Sequence, residues 1–126
     1  MNADGCRINF SALAAAGMNE NAADERFAGM GSLYEKCLLL YFRSDNITRL
    51  EQMAAECDWD GVQKCAHTLK GSAGSLALEP LYDLYTRICS CAGSGQTAGI
   101  PEMLKRAREL EDAFRKASGA DDISAG

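Results

Sequence analysis

The stretch from Val62 to Leu76 reads VQKCAHTLKGSAGSL. Its apolar members, Val62, Cys65, Ala66, Leu69, Ala73 and Leu76, recur at threes and fours, the period of a helix that buries one side. At about 100° per residue, Leu69 and Cys65 stand about 160° from His67, and Leu76 about 180° from it. The only histidine of the chain therefore points away from the apolar stripe. Lys64, Lys70, Gly71 and Gly74 fall within about 60° of it.

Working outward, the same period continues on both sides. Leu33, Cys37, Leu40, Ile47, Leu50, Ala54 and Cys57 predict a helix from about Ser32 to Cys57. A bend is expected at Ser44-Asp45-Asn46, whose side chains compete for backbone hydrogen bonds. Asp58 or Asp60 can cap the helix that carries His67, and Asp60 with Gln63 has capping-box spacing. Glu79-Pro80 opens a further helix with Leu81, Leu84, Tyr85 and Ile88 on one side.

AGSGQTAG, Ala92–Gly99, reads as a flexible connector. It lacks the Gly-Lys-Ser/Thr of a phosphate loop. Pro101 restarts a helix that turns Leu104, Ala107, Leu110 and Phe114 inward. Glu102–Arg106 and Glu111–Arg115 on that helix read as solvated i,i+4 pairs.

The fold class is therefore all-α: an antiparallel four-helix bundle with one or two short N-terminal helices within about residues 9–29. The chain reads as a single domain over 1–126, with an ordered core of about 8–117 and a flexible tail at 118–126.

Composition narrows the function classes. With 126 residues and 47% apolar content, the chain can bury a core and is not disordered throughout. A net charge of −5 argues against a nucleic-acid binder, which needs a basic face. The longest apolar run, CLLLYF at Cys37–Phe42, is far short of the ~20 residues that span a bilayer, and the N-terminus lacks a signal peptide's basic flank. A cytoplasmic protein with no membrane partner is the expectation. The six cysteines include no C-x-x-C pair and no matching histidine pair, so they read as reduced, apolar-like thiols, with no metal expected.

The surroundings of His67 suit a phosphoryl acceptor. An exposed imidazole is largely neutral near pH 7 and nucleophilic through a ring nitrogen. Lys64 and Lys70 can attract an anion, and Gly71 and Gly74 keep the approach open. Two glycines so close cost about 1 kcal/mol each in helix propensity. Their position opposite the apolar stripe favours access over helix packing as the reason. Read from the residues alone, an ordinary solvated histidine stands beside this as an alternative.

AHTLKGSAGSL, Ala66–Leu76, closely resembles the motif of histidine-containing phosphotransfer (HPt) domains, His-x-x-Lys-Gly followed by small residues. ERFAGMGSLYEKCLLLYF upstream looks like that family's Arg-Phe-x-Gly segment, and DWDGVQKCAHTLKG is also similar; the likeness runs from about Phe10 to Ala117. The resemblance implies a phosphorelay intermediate in which His67 is phosphorylated, Lys70 steadies the phosphoryl oxygens, and Gly71 leaves room beside the ring. Lys64 and Gly74 would join in receiver docking and access.

The implied partners are response-regulator receiver domains and a hybrid sensor kinase, met by a monomer. Mg²⁺ would sit on the receiver and no cofactor on this chain. With no ATP-binding motif, it would be a carrier and not an enzyme. The alternative is a helical docking module that binds a receiver or sensor without being phosphorylated. Three positions depart from the family pattern: Ala77 where glycine is common, Tyr85-Thr86 where Leu-Glu is common, and Met30 in place of an aspartate.

Overall fold

The structure is a computed structural model that describes residues 10–28 and 31–118. They form seven helices: α1 Phe10–Ala16, α2 Glu20–Phe27, α3 Gly31–Arg43, α4 Asn46–Ala55, α5 Trp59–Ser75, α6 Glu79–Ser94 and α7 Ile100–Ser118. No strand occurs among the described residues. The fold is all-α, a helical bundle with two short N-terminal helices, as the periodicity predicts. Met30, Cys6 and the tail beyond Ser118 lie outside the described residues. Ser118 itself, expected to begin a flexible tail, is buried at the end of α7.

The helix predicted over Ser32–Cys57 is broken in two. Asp45 does not merely bend it: its carboxylate accepts from the Thr48 backbone N–H at 3.3 Å and from the Thr48 hydroxyl at 2.8 Å. That is an N-cap, and it starts α4 as a new helix. α5 is capped the same way by Asp58, which accepts from the Gly61 N–H at 3.0 Å. Asp60 therefore lies inside the first turn, so the Asp60–Gln63 capping box does not form.

α4 to α7 bury the stripes that their sequence marks, but α3 does not: Leu33 and Leu40, read as part of its stripe, are exposed and Cys37 is half-buried, while Tyr34, Leu38, Tyr41 and Phe42 face inward. Leu38, Ile47, Leu50, Val62, Leu81, Ile88, Ile100 and Phe114 are all essentially inaccessible to solvent. Burying a side chain of that size contributes roughly 1.5–3 kcal/mol. α5 and α6 share the broadest interface and run antiparallel, with Gly74 against Tyr82 near their connection and Gly93 against Gln63 far from it. α7 closes the bundle against α6, α4, α3 and α1. The Arg108 guanidinium fastens it to α4 by donating to both Glu51 carboxylate oxygens, at 2.8 and 2.7 Å, and to the Thr48 hydroxyl at 2.8 Å.

One member of a pair expected in solvent is in the interior. Glu111 is 3% exposed, and its Oε2 accepts hydrogen bonds of 2.6 Å from both the Tyr41 and Tyr85 hydroxyls. It follows Ala107 by four residues and precedes Phe114 by three, so it belongs to the buried stripe. Arg115 pairs with Asp112 at 3.3 Å and lies over the Phe42 ring at 5.8 Å. Arg106, expected to pair with Glu102, meets Glu109 at 3.4 Å.

Candidate functional site

α5 carries the site because its two sides differ in chemistry. Val62, Ala66, Leu69 and Ala73 are buried, while Lys64, His67, Thr68 and Gly71 are exposed. The imidazole of His67 has no hydrogen-bond partner among the described residues, so both ring nitrogens face solvent.

The two flanking lysines are not equivalent. Lys64 pairs with Asp60, one turn earlier, at 3.0 Å on the open surface. Lys70 is half-buried and has no carboxylate partner among the described residues. Among the described residues, its charge is the one left unpaired on the face beside His67. Thr86 on the neighbouring helix donates its hydroxyl to the Tyr82 carbonyl at 2.7 Å.

The two glycines also separate. A methyl group at Gly71 would meet nothing within 4 Å, so the helix wall beside His67 is bare there. At Gly74 a Cβ would stand 2.9 Å from Cδ1 of Tyr82, well inside van der Waals contact. Gly74 is thus needed for close packing of α5 on α6, where the sequence pointed to access. Ser75 and Thr68 return their hydroxyls to carbonyls of their own helix, at 3.0 and 3.3 Å. Small, self-satisfied side chains leave the face smooth.

The far end of α5 is held by α2, its N-cap Asn19 and α3. Its last carbonyls lack intrahelical partners. The Tyr34 hydroxyl donates to the Leu76 carbonyl at 2.7 Å, and Asn19 N–H donates to the Ala77 carbonyl at 2.9 Å. Arg26 of α2 donates to the Gly74 carbonyl. Sequence reasoning missed Arg26 and Tyr82 as members of this surface. Arg26 stands in the quoted ERFAGM segment, but nothing in the spacing says that it folds over α5.

Ala77 ends the helix in the left-handed region, at φ +62°. Leu78 N–H bonds the Ala73 carbonyl at 2.9 Å and Ala77 N–H bonds the Gly74 carbonyl at 3.1 Å, which is a Schellman cap. The position requires positive φ, and alanine fills it at a conformational cost. Tyr85, the other departure on described residues, turns inward to Glu111 and leaves the His67 face unaltered.

No group of three or more His, Cys, Asp or Glu is placed to hold a metal ion among the described residues. Cys37, Cys65, Cys89 and Cys91 are half-buried against the core, and Cys57 is exposed. Among the same residues no helix is long and apolar enough to cross a membrane.

Compared with known proteins, the chain matches no curated protein and no solved structure. A family model does match. It covers residues 38–96, from the middle of α3 to just past α6, a narrower span than the likeness read from the sequence. Within that span lie the exposed His67, Lys70 without a carboxylate partner among the described residues, and the bare wall at Gly71, and the matching model is the Hpt domain: this part of the chain is similar to the Hpt domain family.

Proposed function

We propose that the chain is a phosphorelay intermediate, in which His67 accepts a phosphoryl group from the aspartate of a receiver domain and passes it to another receiver. The observation that carries this reading is the arrangement on α5: among the described residues, a solvent-facing imidazole without a partner, a lysine one turn on without a carboxylate partner, and a glycine beside them with open space at its Cβ position. Hpt domains are phosphotransfer modules, which supports the same reading.

In the forward step the lone pair of an unprotonated ring nitrogen of His67 forms the P–N bond. The P–O bond to the partner's aspartate breaks, and its carboxylate leaves with the electron pair. The imidazole keeps its N–H on the other nitrogen. Such a transfer needs alignment and charge stabilisation more than any further chemistry from the protein. Lys70 stabilises charge on the phosphoryl oxygens, and Gly71 admits the partner's active site. The reverse sequence returns the group to a second receiver. A hybrid sensor kinase upstream, a divalent cation on the receiver and a monomeric carrier in the cytoplasm complete the proposal.

Incubation with a panel of phosphorylated receivers tests it, with His67→Gln as the control. Acid-labile, base-stable label is expected on the wild type and absent from the variant. Equal labelling of both, or no labelling from any receiver, refutes the acceptor role; binding without label would make the chain a docking module.

A further inference from the structure

The face that carries His67 is not flat. Beyond it, Gly71, Gly74 and Ser75 form one wall of a cleft of about 370 Å³, whose other walls are Tyr82 of α6 and Arg26 of α2. Gly71 and Gly74 follow His67 by four and seven residues, so they lie roughly 6 and 10 Å along the axis on the same face. A partner that closes over His67 covers the cleft as well.

Its chemistry is specific. Tyr82 is 40% exposed, one of only three large apolar side chains so exposed among the described residues. The other two, Leu33 and Leu40, are on α3 and do not line it. The Tyr82 ring stands against bare backbone because position 74 is glycine. Arg26 is exposed and has no carboxylate partner among the described residues. Its bond to the Gly74 carbonyl fixes the guanidinium over the helix end while other N–H donors stay free. Glu79, also on the rim, is engaged by the Asn19 amide at 3.0 Å. An aromatic wall and an oriented cation therefore stand side by side, in a chain whose net charge is −5.

Phosphoryl chemistry at His67 and Lys70 treats all receivers alike, so discrimination among them has to come from contacts away from the reacting atoms. Buried aromatic and arginine contacts carry most of the energy of protein interfaces. A charge opposite an oriented cation sets register and encounter rate.

We infer that the cleft between Arg26, Gly74 and Tyr82 is where this chain selects its receiver: an apolar side chain of the docked receiver packs on the Tyr82 ring while a receiver carboxylate meets Arg26. The inference rests on the acceptor reading of His67. Tyr82 and Arg26 are specificity-determining residues that touch the partner and not the reacting atoms.

The test measures kcat and KM for transfer from the phospho-receiver that labels the wild type fastest, using Tyr82→Ala, Tyr82→Phe and Arg26→Glu. Tyr82→Ala is expected to raise KM about tenfold with kcat within about twofold, while Tyr82→Phe behaves as wild type. Arg26→Glu is expected to raise KM more at low salt than at high salt. Labelling of His67 by phosphoramidate, a small donor that needs no docking, stays at the wild-type rate in all three, and their helical circular dichroism is unchanged. KM values within about twofold of wild type for both Tyr82→Ala and Arg26→Glu overturn the cleft alone. A matching loss of phosphoramidate labelling also overturns it, because the variants would then be disturbing His67 itself. If neither phosphoramidate nor any receiver labels wild-type His67, the acceptor reading falls and takes this inference with it.

Discussion

Tyr85 donates a 2.6 Å hydrogen bond to Glu111, joining α6 to α7 inside the bundle. Tyr41 of α3 donates to the same oxygen at the same distance. Three helices thus meet at one buried carboxyl group. Removing a single donor leaves the carboxylate with its other partner, so Tyr85→Phe is expected to cost about 1–3 kcal/mol. Glu111→Leu strands two buried hydroxyls and should cost more. Replacing all three with Phe, Phe and Leu removes every polar group together and should recover most of the loss. Urea midpoints of the four proteins check the order, and a triple variant less stable than Glu111→Leu would contradict it.

The same carboxyl gives a pH dependence. Burial pushes the Glu111 group above the usual glutamate range, with the two tyrosine donors and Arg115 opposing the shift in part. The folded protein therefore binds the proton more tightly than the unfolded chain does. The stability this contributes is fully present below the unfolded value, about 4.3, and is lost as pH rises through the folded value. Asp45 runs the other way: its bond from Thr48 holds the carboxylate below the ordinary range, so its contribution is lost on acidification. A comparison of wild type with Glu111→Gln isolates the first effect. Across weakly acidic pH, wild type should lose stability relative to the variant as pH rises; parallel curves would refute the assignment.

Among the described residues three helix ends, at Ala28, Cys57 and Ala77, hold side chains in the left-handed region that glycine prefers. Cys57 has φ +57°, with Asp58 N–H bonded to the Met53 carbonyl at 2.9 Å. Cys57 is exposed, so Cys57→Gly sacrifices no packing and should stabilise by about 1 kcal/mol. Ala77 differs because it is 1% exposed. There, relief of about 1–2 kcal/mol is set against roughly 0.8 kcal/mol for the buried methyl, so Ala77→Gly should stay within about 1 kcal/mol of wild type. Ala77→Val adds a β-branch where neither φ nor space allows it and should cost about 2 kcal/mol or more. Chemical denaturation of the three variants distinguishes these outcomes.

Periodicity made the bundle legible, because each helix buries one stripe and His67 falls opposite its own. The break at Asp45 was half visible: Ser-Asp-Asn signals competition for the backbone, but only the Thr48 bonds decide between a bend and a new cap. Glu111 was misjudged because a glutamate four residues before an arginine suggests a surface pair, although its register with Ala107 and Phe114 placed it inside. Gly74 and Arg26 were illegible for a different reason. What they do depends on Tyr82 and on the path of α2, and those are facts of tertiary packing that a helical wheel for α5 does not contain.

The difference between the two glycines can be read as a double-mutant cycle. Gly71→Ala meets open space and should gain about 1 kcal/mol of helix propensity. Gly74→Ala has the same propensity to gain but must displace the Tyr82 ring, so its gain should be smaller or reversed. In a Tyr82→Ala background the full gain should return, giving a coupling between positions 74 and 82 that positions 71 and 82 do not show. Thermal unfolding of the set measures it. Equal effects of both glycine substitutions in wild type would mean that the α5–α6 approach at Gly74 imposes no demand.

Lys70 separates stability from transfer. It has no ion pair among the described residues, so Lys70→Ala should leave the unfolding midpoint within about 0.5 kcal/mol of wild type. The same substitution removes the free positive charge nearest the phosphoryl group. Loss of one such group in a preorganised site typically slows chemistry by about 100-fold. Much of the charge stabilisation here would come from the receiver, so a loss of about 10- to 100-fold in the transfer rate is expected. Lys64→Ala, which deletes a cation already paired with Asp60, should slow transfer much less. Single-turnover transfer from a saturating phospho-receiver reads both variants. A Lys70→Ala protein that transfers at the wild-type rate, or that loses more than about 1 kcal/mol of stability, would make Lys70 a structural residue and return the choice of cation to Lys64.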